Sequence, residues 1–170
     1  MKILVTGAAG FIGFNFSKFL LEKTKFNIIG IDNLNTYYSV KVKQERLKLL
    51  NKSRRFKFVK LDLTNKSRLE KIFKNKIYAV FNFAAQAGVR YSIKNPRAYI
   101  ESNTLGFFNV IELSIKNKVK KIFYASSSSV YGESKKFPLS EIDPIIPKNI
   151  YGLTKKNNEE ICELLSNYNK

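Results

Sequence analysis

The sequence predicts an α/β fold, a doubly wound parallel sheet with helices on both faces. Three observations carry this prediction. Short β-branched apolar runs alternate with helical patterns along the whole chain. The first run, Lys2-Ile3-Leu4-Val5-Thr6, passes through a turn punctuated by Gly7, Gly10 and Gly13 directly into a helical pattern. An acid, Asp32, closes the second run 19 residues after Gly13.

The elements follow in order. Strand one is Lys2 to Thr6, and the helix that leaves the glycine turn spans about Phe11 to Glu22. Strand two is Asn27 to Ile31, apolar enough to be buried on both sides. A polar loop with Tyr37 and Tyr38 leads to an amphipathic helix over about Val40 to Leu50. Strand three is Phe56 to Leu61, with a helix over about Lys66 to Phe73, and strand four is Tyr78 to Phe83. A loop with Gly, Asn and Pro reaches Pro96. A long helix then spans about Arg97 to Asn117, interrupted at Gly106. Strand five is Lys121 to Ser126, and a loop with three prolines precedes a last helix over Ile150 to Tyr168. Right-handed crossovers join such strands, and ligands bind at their carboxyl ends.

Composition excludes several chemistries. The 170 residues suit one domain, and none is histidine. Ser-His-Asp and Cys-His catalysis are therefore absent, and proton transfer falls to Tyr, Lys, Asp or Glu. A lone cysteine, Cys162, forms no internal disulfide or cysteine-cluster metal site and reads as a buried small hydrophobe, so no metal is expected. No apolar run has the ~20 residues of a membrane span. The chain opens on a strand with no signal peptide before it, and a cytoplasmic location is expected. The net charge is +18. Its basic residues are scattered (Lys41, Lys43, Arg54, Arg55, Lys118), without a recognition motif, which argues against nucleic acid. The same charge favours the approach of an anionic ligand.

The glycines have separate tasks. Gly7 permits the tight turn, Gly10 lets a diphosphate approach the backbone, and Gly13 lets the helix pack on the strand. Asp32, at the tip of strand two, accepts hydrogen bonds from an adenosine ribose and repels a 2′-phosphate, so NAD is expected over NADP. Tyr151 and Lys155 lie one turn apart on the last helix. A nearby ammonium lowers a phenol's pKa, so the pair can serve as an acid/base without histidine; on spacing alone, a Tyr/Lys pair on a helix reads more readily as structural. Strand five ends in four serines, Ser126 to Ser129, where ligands bind; some serve equally well as backbone caps. Tyr37 and Tyr38 read as loop packing.

These residues resemble an extended short-chain dehydrogenase/reductase of the nucleotide-sugar epimerase and dehydratase branch, with a Rossmann-like NAD-binding fold. The resemblance rests on TGAAGFIG (6–13), Asp32, Asp62-Leu63, FNFAAQAGVRYS (81–92), Asn103, ASSSSVYG (125–132) and the YxxxK of 151–155. It implies Ser127, Tyr151 and Lys155 as catalytic residues. It implies Gly7, Gly10, Phe11, Ile12, Gly13, Asp32, Asn33, Asp62, Leu63, Ala84, Ala85, Ala87 and Asn103 at the cofactor, with Tyr151 and Lys155 completing the set. A sugar nucleotide would meet Ser127, Ser128 and Ser129, and Arg90, which reads equally as a solvated loop arginine.

Two stretches, 31–47 and 84–112, are most similar to UDP-glucuronate 4-epimerases, which implies a UDP-sugar substrate and C4 epimerisation through a 4-keto sugar. Thr36 stands where that family usually has an acid. A dehydratase usually places Asp-Glu after the strand-five hydroxyl, where this chain has Ser128-Ser129. Family members run to about twice this length. The resemblance therefore implies that residues 1–170 are the NAD-binding domain of a longer enzyme, with the substrate lobe absent. A catalytically silent NAD-binding module is the competing reading. A homodimer through helices 97–117 and 150–168 is also implied; Phe107, Phe108, Ile111 and Ile115 serve either that interface or the core.

Overall fold

A computed structural model describes residues 1–134 and 137–168. The backbone divides into two compact units. The first comprises residues 1–84 and 109–124, and the second comprises 85–108 and 125–170.

The first unit holds a parallel sheet in the order β3-β2-β1-β4-β5. The strands are β1 (Lys2–Thr6), β2 (Asn27–Asp32), β3 (Phe56–Lys60), β4 (Ile77–Asn82) and β5 (Lys121–Tyr124). The order reverses between β1 and β4, which is the switch point of a doubly wound fold. Helices α1 (Phe11–Lys23), α2 (Val40–Leu50) and α3 (Lys66–Phe73) connect the strands. Alternation along β1 and β2 feeds two cores. On one face Ile3, Val5 and Ile28 pack with Leu20, Leu21, Leu47 and Leu50 of α1 and α2. On the other, Leu4, Ile29, Ile31 and Val80 pack with Leu69 and Phe73 of α3 and with Val110 and Leu113. Phe81 stacks on Phe123 of β5 at 4.7 Å between ring centres.

The second unit is mostly helical. It contains α4 (Val89–Lys94), α5 (Pro96–Tyr99), a π-helical segment (Ile100–Gly106), a 3₁₀ turn (Ser128–Tyr131) and α7 (Ile150–Tyr168). Helix α6 (Phe107–Lys116) continues from the π segment, and its residues from Asn109 onward belong to the first unit.

Most predicted elements lie within a residue or two of the observed ones, and three differ. The stretch before Pro96, expected as loop, contains α4; six residues are too few to establish a helical period. The helix expected from Arg97 to Asn117 runs through Gly106 without a break, because a π segment rather than a glycine break makes its irregularity. Strand five ends at Tyr124, two residues early, since the serine run turns into a 3₁₀ helix. Cys162, expected buried, is partly exposed on α7. Phe107 and Ile111 are buried, whereas Phe108 keeps 38 % of its surface exposed. Among the described residues no helix is long and apolar enough to cross a membrane.

Candidate active site

In the first unit the glycine turn is built as its spacing requires. Gly7 has φ +67°, and a Cβ there would lie 2.8 Å from the Ala84 nitrogen. A Cβ on Gly13 would lie 2.2 Å from the Gly7 carbonyl oxygen, which explains the close seat of α1 on the turn. The buried Thr6 hydroxyl ties the neighbouring strand ends together. It donates to Asn82 Oδ1 and accepts from the Ala84 N–H at 3.1 Å.

Gly10 caps α1 with no side chain, and the first turn carries no acid. No acid on the first turn competes for its backbone N–H groups, and the helix dipole adds positive potential. A diphosphate fits this cradle. Phe11 and Ile12 on that first turn are exposed.

Asp32 is buried at the end of β2. Its Oδ2 accepts from the Ala9 N–H at 3.2 Å, and its Oδ1 from the Leu34 N–H at 2.8 Å. Each oxygen keeps a lone pair for a ribose hydroxyl. The Ala9 carbonyl accepts from the Arg46 guanidinium at 3.2 Å, so the turn is held from both sides. Arg46 also donates to the Tyr38 hydroxyl at 3.0 Å, and Lys43 Nζ lies 4.6 Å from the centre of the Tyr38 ring. Tyr38 thus packs the loop.

Asn33 and Asp62 meet directly, with Asn33 Nδ2 donating to Asp62 Oδ2 at 2.8 Å. They line an open pocket with Asn35, Lys60, Leu61 and Arg68. Burial works to raise the Asp62 pKa, but hydrogen bonds from Asn33 and Thr64 outweigh it and hold the carboxyl below its ordinary value. Leu63 is buried beside it, its carbonyl accepting from Asn109 Nδ2 at 2.9 Å. Ala84 is partly buried.

In the second unit α7 carries Tyr151 and Lys155 one turn apart, as their spacing predicts. Lys155 is only 4 % exposed, and its Nζ donates to the Ala125 carbonyl at 2.7 Å. Burial pushes its pKa down to about 8, against the upward pull of the Glu159 charge. Tyr151 packs edge-on against Tyr99, with ring centres 6.1 Å apart. The Tyr99 hydroxyl in turn donates to the Ala87 and Gly88 carbonyls.

Ser127 caps the 3₁₀ turn, its Oγ accepting from the Ser129 N–H at 3.2 Å. The capping role does not use its O–H, which remains a donor. Ser128 is exposed and Ser129 partly so. Gly152 lets α7 approach this turn, since a Cβ there would lie 2.4 Å from the Ser129 carbonyl oxygen.

Asn103 sits inside the π segment, 1 % exposed, with both ends of its amide hydrogen-bonded. Its Oδ1 accepts from the Gln86 N–H at 2.7 Å, and its Nδ2 donates to the Gln86 carbonyl and to Thr154 Oγ1. Ala85 is partly buried, while Ala87 and Arg90 are exposed. Sequence reasoning missed Gln86, Tyr99, Thr154 and Glu159. Only Glu159 left a trace, four residues after Lys155 on the same helix face. Among the described residues no cluster of His, Cys, Asp and Glu could hold a metal ion.

Comparison with known proteins shows the family and the fold. The profile of a family described as GDP-mannose 4,6 dehydratase matches residues 4–169. Protein CapI of Staphylococcus aureus is 47% identical over 168 residues, which are 98% of this chain and 50% of that protein. A UDP-glucuronate 4-epimerase of Thermodesulfobacterium geofontis is 45% identical over 165 residues, 96% of this chain and 49% of the relative. Among solved structures, UDP-glucuronic acid 4-epimerase from Bacillus cereus, in complex with UDP-glucuronic acid and NAD, superposes with a TM-score of 0.90 at 35% identity. The match covers 96% of this chain and 52% of that one. The chain thus spans about half the length of the curated relatives it matches.

Proposed function

This chain belongs to the GDP-mannose 4,6 dehydratase family, and on that premise we propose that it binds NAD and supplies the proton-transfer groups of a UDP-sugar 4-epimerase. UDP-glucuronate is the proposed sugar nucleotide, supported by the relatives and by the bound ligands of the Bacillus cereus structure. One observation carries the reading: in a chain without histidine, a buried lysine is held one turn from a tyrosine.

The first unit would hold the adenosine diphosphate. Gly7, Gly10, Phe11, Ile12 and Gly13 take the diphosphate, Asp32 and Asn33 the ribose, and Asp62 and Leu63 the adenine. Ala84, Ala85 and Ala87 are also assigned to the cofactor. Asn103 spends both Nδ2 hydrogens and an Oδ1 lone pair within the protein and serves by positioning Gln86 and Thr154. NAD, when bound, supplies reversible oxidation at the sugar C4.

Tyr151, as phenolate, takes the proton of the 4-hydroxyl and later returns it. Lys155 stabilises that phenolate by its charge and is proposed to hold the nicotinamide ribose. Ser127 donates its O–H to the sugar 4-oxygen. Ser128 and Ser129 donate to the uronate carboxylate, with Arg90 as a further counter-charge. The exposed apolar residues Ile100, Leu105, Phe108, Leu153 and Leu164 support the proposal of a homodimer through these helices.

A second reading is a module that binds NAD and turns over nothing. Calorimetric titration separates the two. Binding of both NAD and UDP-glucuronate supports the enzyme, and binding of NAD alone supports the module. No binding of NAD would sink both. In an active protein, Tyr151→Phe is expected to lower turnover by at least about a hundredfold with NAD affinity retained; normal turnover would refute the base assignment.

A further inference from the structure

Lys155 and Glu159 grip adjacent residues of the segment that follows β5. Lys155 Nζ donates to the Ala125 carbonyl at 2.7 Å, and the Ser126 hydroxyl donates to Glu159 Oε1. Helix α7 is thereby clasped to residues 125 and 126 at two points one helical turn apart. We infer that Glu159, itself held by Ser126, is a positioning residue that keeps the Lys155 ammonium protonated and seated against Ala125. This rests on Lys155 being the partner of Tyr151, and it adds a role for two residues beyond that pair.

The physical need is plain. An ammonium carries three donors, and a single neutral carbonyl does not replace its lost hydration. Burial accordingly pulls the Lys155 pKa toward neutrality, and the charge that opposes this is Glu159. Charged or titratable groups on the elements packed around α7 are Arg90, Tyr91 and Lys94 on α4, Arg97 and Tyr99 on α5, Glu101 on the π segment and Tyr131 on the 3₁₀ turn. Arg97 and Glu101 pair with each other. Glu159 is the one whose field acts on Lys155. A glutamate on a helix surface would ordinarily leave its carboxylate in water, because ordering the side chain costs entropy. The Ser126 hydroxyl holds the negative charge toward residues 125 and 126, where the lysine terminates.

The test is the titration midpoint of the Lys155 amine in the 170-residue chain, followed by NMR of ¹⁵N-labelled lysine and assigned by its loss in K155R. Glu159→Gln keeps an acceptor for Ser126 and removes the charge. Its Lys155 midpoint is expected to fall by at least about half a pH unit. Ser126→Ala should lower the midpoint by less, since the carboxylate is then free to swing outward. Glu159→Asp, which keeps the charge, should restore most of the parent value. A midpoint in E159Q equal to the parent's overturns the inference. Should E159Q fail to fold, S126A carries the test, and a midpoint no lower than the parent's is the overturning result. NAD titration of the same samples is independent. Loss of NAD binding in the parent would remove the enzyme reading and leave the lysine shift to be judged separately.

Discussion

Lys155 is the residue at which burial and charge conflict most. Its folded amine releases its proton near 8, whereas an ordinary lysine does so near 10.5. Between those values the unfolded chain binds the extra proton, so this group's contribution to stability rises as pH climbs through that window. At neutral pH the fold bears the cost of a desolvated ammonium. Lys155→Met removes that cost and forfeits one hydrogen bond to Ala125. The variant should therefore be more stable than the parent at pH 7, by on the order of 2 kcal/mol. The gain should shrink toward pH 10. Thermal melts at the two pH values check this, and a loss of stability at pH 7 would defeat the desolvation account.

The glycine turn and the π segment matter as elements. Gly13 and Gly10 both belong to the turn, yet their tolerances differ. An alanine Cβ at position 13 meets the Gly7 carbonyl oxygen at 2.2 Å, and backbone at that distance cannot yield cheaply. At position 10 the nearest atom is 3.0 Å away. Gly13→Ala should cost about 3 kcal/mol of stability, measured by urea unfolding. Gly10→Ala should cost under about 1 kcal/mol and weaken NAD binding instead, because the methyl stands where a diphosphate approaches. Equal losses of stability in the two variants would contradict the geometry. The π segment has a different task. It carries Asn103 inward, where one amide holds both the peptide of Gln86 and the hydroxyl of Thr154. π segments concentrate at functional sites because their extra residue per turn redirects side chains.

At the scale of the molecule, charge is the dominant feature. The +18 net charge is spread over exposed lysines and arginines, and like charges repel in the compact state. The ion pairs that relieve it, such as Lys66 with Glu112 and Arg97 with Glu101, have half-exposed or exposed partners, and such pairs contribute little individually. Raising salt from about 0.01 M to 0.15 M shortens the Debye length from roughly 30 to 8 Å. The melting temperature should rise over that range, and a fall would show that the surface pairs outweigh the repulsion. The same salt should weaken the binding of an anionic dinucleotide, which offers a second readout on one sample.

The local record in the chain reached far. Apolar runs foretold the strands, most plainly β1 and β2, which are buried along nearly their whole length. The spacing 151 to 155 foretold a shared helix face, because 3.6 residues make a turn. The spacing of Gly7, Gly10 and Gly13 foretold the turn, because at Gly7 and Gly13 only glycine fits the contacts found there. Tertiary structure alone decided the rest. Asn103 meets partners 17 and 51 residues away, and Ser126 meets Glu159 at a separation of 33. Neither pairing leaves a period or a composition to read, since each exists only once the chain has turned back on itself and excluded water.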